Sequence, residues 1–61
     1  MKLLTVTETA NILRLTPQAV YRMARRGDLP VLRLGRQLRI DEQQLAEWLA
    51  AHARNGDAQT T

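Results

Sequence analysis

Thr16-Pro17 and Gly27 fence off the stretch from Pro17 to Arg26, and little besides one short helix fits between them. Threonine is a favoured helix cap, and proline suits the first helical position because its missing N–H would find no partner there. Glycine accepts the left-handed conformation that closes a helix, and Pro30, three residues on, bars any continuation. At about 100° per residue, Val20, Met23 and Ala24 gather on one side of this helix. Gln18, Arg22 and Arg25 fall on the opposite side, flanked by Ala19 and Arg26, and no acidic residue interrupts them.

The neighbouring segments carry equally specific punctuation. Thr5-Val6-Thr7-Glu8 has the form of a capping box, in which each end residue satisfies a free backbone N–H of the other. It predicts a helix over 6–13 with Val6, Ala10 and Leu13 on one face and Ile12 at its edge. Two turns of helix do not persist alone in water, so this element needs tertiary packing. Met1 to Leu4 is an apolar, extended lead-in, and Arg14-Leu15 forms the turn between the helices. From Val31 to Ile40 the period becomes two. Leu32, Leu34, Leu38 and Ile40 are expected to face one way and Arg33 and Arg39 the other, with Gly35 in a tight connection. Asp41-Glu42-Gln43-Gln44 reads as a second capping box and opens a helix over about 42–53, with Leu45, Trp48, Leu49 and His52 as its stripe. The expected organisation is one domain over 1–54 followed by a flexible polar tail over 55–61.

Size narrows the function. A chain of 61 residues buries only about 60% of its unfolded surface and has no material to spare for a pocket with a supporting shell. With no cysteine, it has neither disulfides nor thiolate zinc ligands, and a single histidine, His52, makes no metal site. No nucleophile–base–orienter set and no phosphate-loop motif can be assembled, so neither catalysis, a cofactor nor a small-molecule ligand is expected. No run of about 18 apolar residues is present to span a membrane. Lys2-Leu3-Leu4 is too short for a secretory core, which leads us to expect a cytoplasmic protein.

Charge supplies the positive signal. The net charge is +3, and the cations are eight arginines and one lysine. Six of them lie between Arg22 and Arg39. Arginine presents a rigid donor fork that matches phosphate and the guanine edge, whereas lysine acts more as a point charge. Two short helices, the second lined with arginine, followed by an arginine-studded hairpin, give a mainly α fold with a small β-hairpin: a winged helix-turn-helix. That architecture sets a helix in the major groove of double-stranded DNA and lays the hairpin along the backbone. On the second helix, Gln18 and Arg22 can read adenine and guanine edges. Thr16 and the helix N-terminus can hold a phosphate, Ala19 flanks the reading face, and Arg25 and Arg26 meet backbone. Tyr21 flanks the apolar face, where its hydroxyl can reach a phosphate or its ring simply packs at the core edge. On the hairpin, Arg33, Arg36, Gln37 and Arg39 are the expected contacts with phosphate or the minor groove. Plain structural roles compete at each place: arginine is a good helix former, edge strands carry charge against aggregation, and Trp48 serves as a lid on the core.

The stretch LLTVTETANILRLTPQAVYRMARRGDLPVLRLGRQLRIDEQQLAEWL, Leu3 to Leu49, resembles the excisionase-type helix-turn-helix family, related to the DNA-binding domains of MerR regulators. The landmarks are Leu4-Thr5-Val6, Thr16, Val20-Tyr21-Arg22, Gly27-Asp28-Leu29-Pro30, Leu34-Gly35-Arg36, Arg39-Ile40 and Glu47-Trp48-Leu49. Arg14 departs from the pattern, since family members often carry glycine in that turn. The resemblance implies that the second helix reads the major groove and that the hairpin is the wing. It also implies one of two roles: a directionality factor that binds side by side on repeated sites, bends DNA and steers an integrase toward excision, or a minimal transcription regulator. Larger MerR regulators add a dimerisation helix and an effector domain without counterpart in this sequence, which leads us to expect an accessory role. A third possibility, of another class, is an interaction module that docks to an integrase or polymerase through its last helix.

Overall fold

The computed structural model describes residues 1–56, with side chains through His52. Helix α1 spans Val6–Leu13 and α2 spans Pro17–Arg26, both with the bounds expected from their caps. The Thr5 hydroxyl accepts from the Glu8 N–H at 3.0 Å, and the Glu8 carboxylate accepts from the Thr5 N–H at 2.9 Å, which completes the capping box. At α2, Thr16 Oγ1 accepts from the Ala19 N–H at 3.1 Å.

Both helices end in the same way. Gly27 takes a left-handed conformation after α2, while the Asp28 N–H reaches back to the Met23 carbonyl at 2.9 Å. Arg14 does the same after α1, at φ 60° and ψ 42°, while the Leu15 N–H reaches the Ala10 carbonyl at 2.8 Å. The departure from glycine at position 14 therefore leaves the turn's left-handed geometry intact, at a steric cost on the order of 1 kcal/mol.

Strands β1 (Leu3–Leu4), β2 (Leu32–Leu34) and β3 (Gln37–Asp41) form an antiparallel sheet in the order β1-β3-β2. The apolar lead-in is thus a third strand, pairing Leu3 with Asp41 and Leu4 with Ile40. Gly35, with φ of 64°, is the first of two loop residues between β2 and β3, where a two-residue hairpin calls for glycine.

The register overturns one expectation. Leu32 lies opposite Arg39, Arg33 opposite Leu38, and Leu34 opposite Gln37. Directly opposed residues share a face of an antiparallel sheet, so Arg33 shares a face with Leu38, and Leu32 and Leu34 share theirs with Arg39 and Gln37. A two-residue loop swaps the parity of inward positions, and alternation cannot be carried through it as though the strand were continuous. Leu34 is accordingly 51% exposed, whereas Val31 and Leu38 pack on the core.

Helix α3 spans Glu42–Gly56, a little longer than expected, and takes in the first two residues assigned to the tail. The expected remainder, 57–61, lies outside the described residues. The reciprocal Asp41–Gln44 cap is not among the side-chain hydrogen bonds of the described residues. Asp41 ends β3 instead, and the first helical N–H, that of Glu42, donates to the Lys2 carbonyl at 2.9 Å. One core joins β1, α1, α2, β3 and α3: Leu4, Val6, Ala10, Val20, Leu29, Ile40 and Leu45, with Leu13, Met23, Val31, Leu38, Trp48 and Leu49 packed around it. Thr9 is buried among them with its hydroxyl unpartnered, which costs about 1–3 kcal/mol relative to a satisfied group.

Candidate nucleic-acid interface

Burying Val20 and Ala24 turns the opposite side of α2 to solvent. Thr16, Gln18, Tyr21, Arg22, Arg25 and Arg26 are all exposed, and Ala19 is half-buried. Gln18 and Arg22 are one turn apart on the same row, and Arg25 follows another turn on. A buried stripe at helical spacing fixes the opposite face as well, so the exposure of this row follows from the sequence.

Tyr21 and Arg25 form one wall of a cleft of about 260 Å³. Arg33, Gly35, Arg36 and Leu38 of the hairpin form the other. The hairpin thereby faces α2 across this cleft, and three arginines line one recess. Tyr21, 47% exposed, stands among them rather than inside the core.

The remaining expected contacts are dispersed. Arg39 lies on the other face of the hairpin from Arg33, where its Nη2 donates to Gln37 Oε1 at 2.6 Å and its Nη1 to the Leu38 carbonyl at 2.8 Å. Arg39 and Gln37 therefore engage each other on the face turned from this recess. Arg26 is paired with Asp28, Nε to Oδ2 at 3.3 Å, in a solvent-exposed bridge. The wing arginines are thus split, and the split follows directly from the two-residue loop.

Helix α3 braces the arrangement from behind. The Trp48 indole N–H donates to the Asp28 carbonyl at 2.9 Å, and the His52 ring lies 4.1 Å from the Trp48 ring at a tilt of 34°. His52 is exposed and stacks on the tryptophan that covers the core, in place of packing inside it. Among the described residues no group of three or more His, Cys, Asp or Glu side chains is placed to hold a metal ion. No described helix is long and apolar enough to cross a membrane.

Two short helices joined by a left-handed turn, with a strand hairpin set beside the second, define a winged helix-turn-helix protein. Residues 3–53 match the model of the helix-turn-helix domain family, and the chain belongs to that family, which includes excisionase-like proteins. Over 39 residues, 64% of this chain, it is 44% identical to a protein of Mycobacterium tuberculosis strain H37Rv whose curated name is "Putative DNA-binding protein". The counterpart in strain CDC 1551 / Oshkosh matches to the same extent. It is 39% identical over 44 residues, 72% of this chain, to the uncharacterized protein YvgK of Bacillus subtilis strain 168. The matched stretch spans 50% of each mycobacterial relative and 14% of the Bacillus one. No solved structure gives a significant match. Family and relatives together support DNA binding as the class of function.

Proposed function

We propose that the chain binds double-stranded DNA sequence-specifically, with α2 in the major groove and the hairpin along the backbone, as a small excisionase-like architectural factor. The observation that carries this reading is the exposed row Gln18, Arg22 and Arg25 on a helix without a single acidic residue, continued by the arginines of the adjoining cleft. Gln and Arg are the side chains that pair bidentately with adenine and guanine edges. Membership of a family that includes excisionase-like proteins supports the architectural half of the proposal.

Selection from a randomised duplex pool tests site reading. A defined consensus is expected, and enrichment without any consensus overturns sequence specificity. Gel mobility of the selected site, placed at different positions along a fragment, tests the architectural role. A bend centred on the site is expected, whereas straight bound DNA leaves the behaviour of a minimal transcription regulator.

A further inference from the structure

The cleft between α2 and the hairpin has an unusual charge balance. Its lining residues are Tyr21, Arg25, Arg33, Gly35, Arg36 and Leu38, and none is acidic. Arg26, just outside it, already has Asp28 as a partner. Arg25, Arg33 and Arg36 share their recess without a carboxylate among its walls. Like charges gathered around one space raise its positive potential and favour an anion there. Gly35 keeps one wall open, since nothing lies within 4 Å of the point where a side chain would begin.

The position of the cleft identifies which anion. A helix seated in the major groove, about 12 Å wide, has the sugar–phosphate strand at that groove's edge beside it. The hairpin lies on the far side of the cleft from α2. With α2 so seated, the cleft lies where a strand leaving the edge of the groove can pass between the two.

We propose that this cleft is a clamp for one sugar–phosphate segment of a single DNA strand. Arg25 grips the segment from the helix, Arg33 and Arg36 grip it from the hairpin, and the Tyr21 hydroxyl is a further donor. The inference rests on the duplex-binding reading above. It adds that helix and hairpin hold the same phosphates, so that their docking is one event and the path of the strand is measured against the helix. The clamp assigns Arg33 to DNA and leaves Arg39, on the other face, outside it.

The test is a scan in which single phosphates of the selected duplex are replaced by neutral methylphosphonates. One phosphate, or two adjacent ones, is expected to weaken wild-type binding about tenfold when neutralised, the scale of a lost charge-assisted hydrogen bond. In Arg25→Ala, Arg33→Ala and Arg36→Ala alike, neutralising those same positions should change affinity less than about twofold. All three residues are exposed, and thermal melts of each variant establish that it is folded. If Arg25→Ala silences one position while the hairpin variants silence a distant one, the elements grip separate phosphates and the clamp is wrong. If no position is silenced in any folded variant, the cleft does not touch the backbone. A wild-type chain that binds no duplex overturns the function and the clamp together, whereas retained binding with either failed map overturns the clamp alone.

Discussion

The indole N–H of Trp48 donates to the carbonyl oxygen of Asp28 across 2.9 Å, and this bond ties α3 to the segment that joins α2 to the hairpin. Asp28 stands one residue beyond the left-handed Gly27, and Leu29, buried beside it, anchors the same segment to the core. The spacing between helix and hairpin is therefore held by a contact remote from the arginines it positions.

Trp48→Phe removes the bond and keeps most of the ring. It is expected to lower stability by about 0.5–1.5 kcal/mol, the net worth of one hydrogen bond, with a further small loss for the reduced area. Trp48→Ala should cost more, toward about 3 kcal/mol, since a large ring leaves the edge of the core. Denaturant melts of both variants check the order.

Arg22→Ala is expected to weaken binding to the selected site by about 1–3 kcal/mol and to relax preference at one base position. The side chain is exposed at the middle of α2's outer row, so the melt should be nearly unchanged. Repeating the selection with the variant reads both effects at once.

Leu38→Ala should destabilise the fold by about 2 kcal/mol, at the low end for leucine because the side chain is only half-buried. Arg39, also half-buried, bonds only to the neighbouring Leu38 carbonyl and Gln37, so Arg39→Ala should cost about 0.5–1.5 kcal/mol. Paired thermal melts decide it, and the reverse order would contradict the pairing of Arg33 with Leu38.

Arg14→Gly should raise stability by up to about 1 kcal/mol, because glycine takes the left-handed conformation without the Cβ penalty. The gain is partly offset by the greater freedom of glycine in the unfolded chain. Arg14→Val, which is β-branched, should lower stability at the same position. Melting temperatures of the pair give the comparison.

The Glu8 carboxyl is held below its ordinary range, chiefly by the hydrogen bond from the Thr5 backbone N–H. Desolvation opposes this in part, and the Thr5 hydroxyl and the charges of Lys2 and Arg39 add to the lowering. A carboxyl depressed in the folded state contributes stability that is present above its unfolded pKa and lost as pH falls through the folded value. The melting temperature should therefore decline below the ordinary glutamate range of about pH 4.3. Glu8→Gln, which can still accept the bond but carries no charge, should flatten that part of the profile.

The helices were legible because their ends are chemical events. Thr5 with Glu8, Thr16 with Pro17, and Gly27 each satisfy or terminate particular backbone groups, and the observed bounds of α1 and α2 follow them. The outer row of α2 was legible for the same reason. Strand β1 was less so, because two residues carry no period and their extension is decided by a partner far along the chain. The faces of β2 were misread because the parity of a hairpin is set by the length of its loop, and loop length is not a hydrophobic signal. The grouping of Arg33 with Arg25 and Tyr21, and the separation of Arg39 from them, both depend on that parity.

The pairing of Leu3 with Asp41 also sets the order in which the chain can assemble. The helix pair and the β2–β3 hairpin close over short separations, while β1 joins β3 only after most of the chain has been brought round, at a larger entropic cost. Opening should run in reverse, with β1 peeling first and leaving one edge of β3 unpaired. A bare edge of this kind is a template for a strand from another molecule. The first two paired residues of the sheet thus cover the edge of β3 that β2 leaves open.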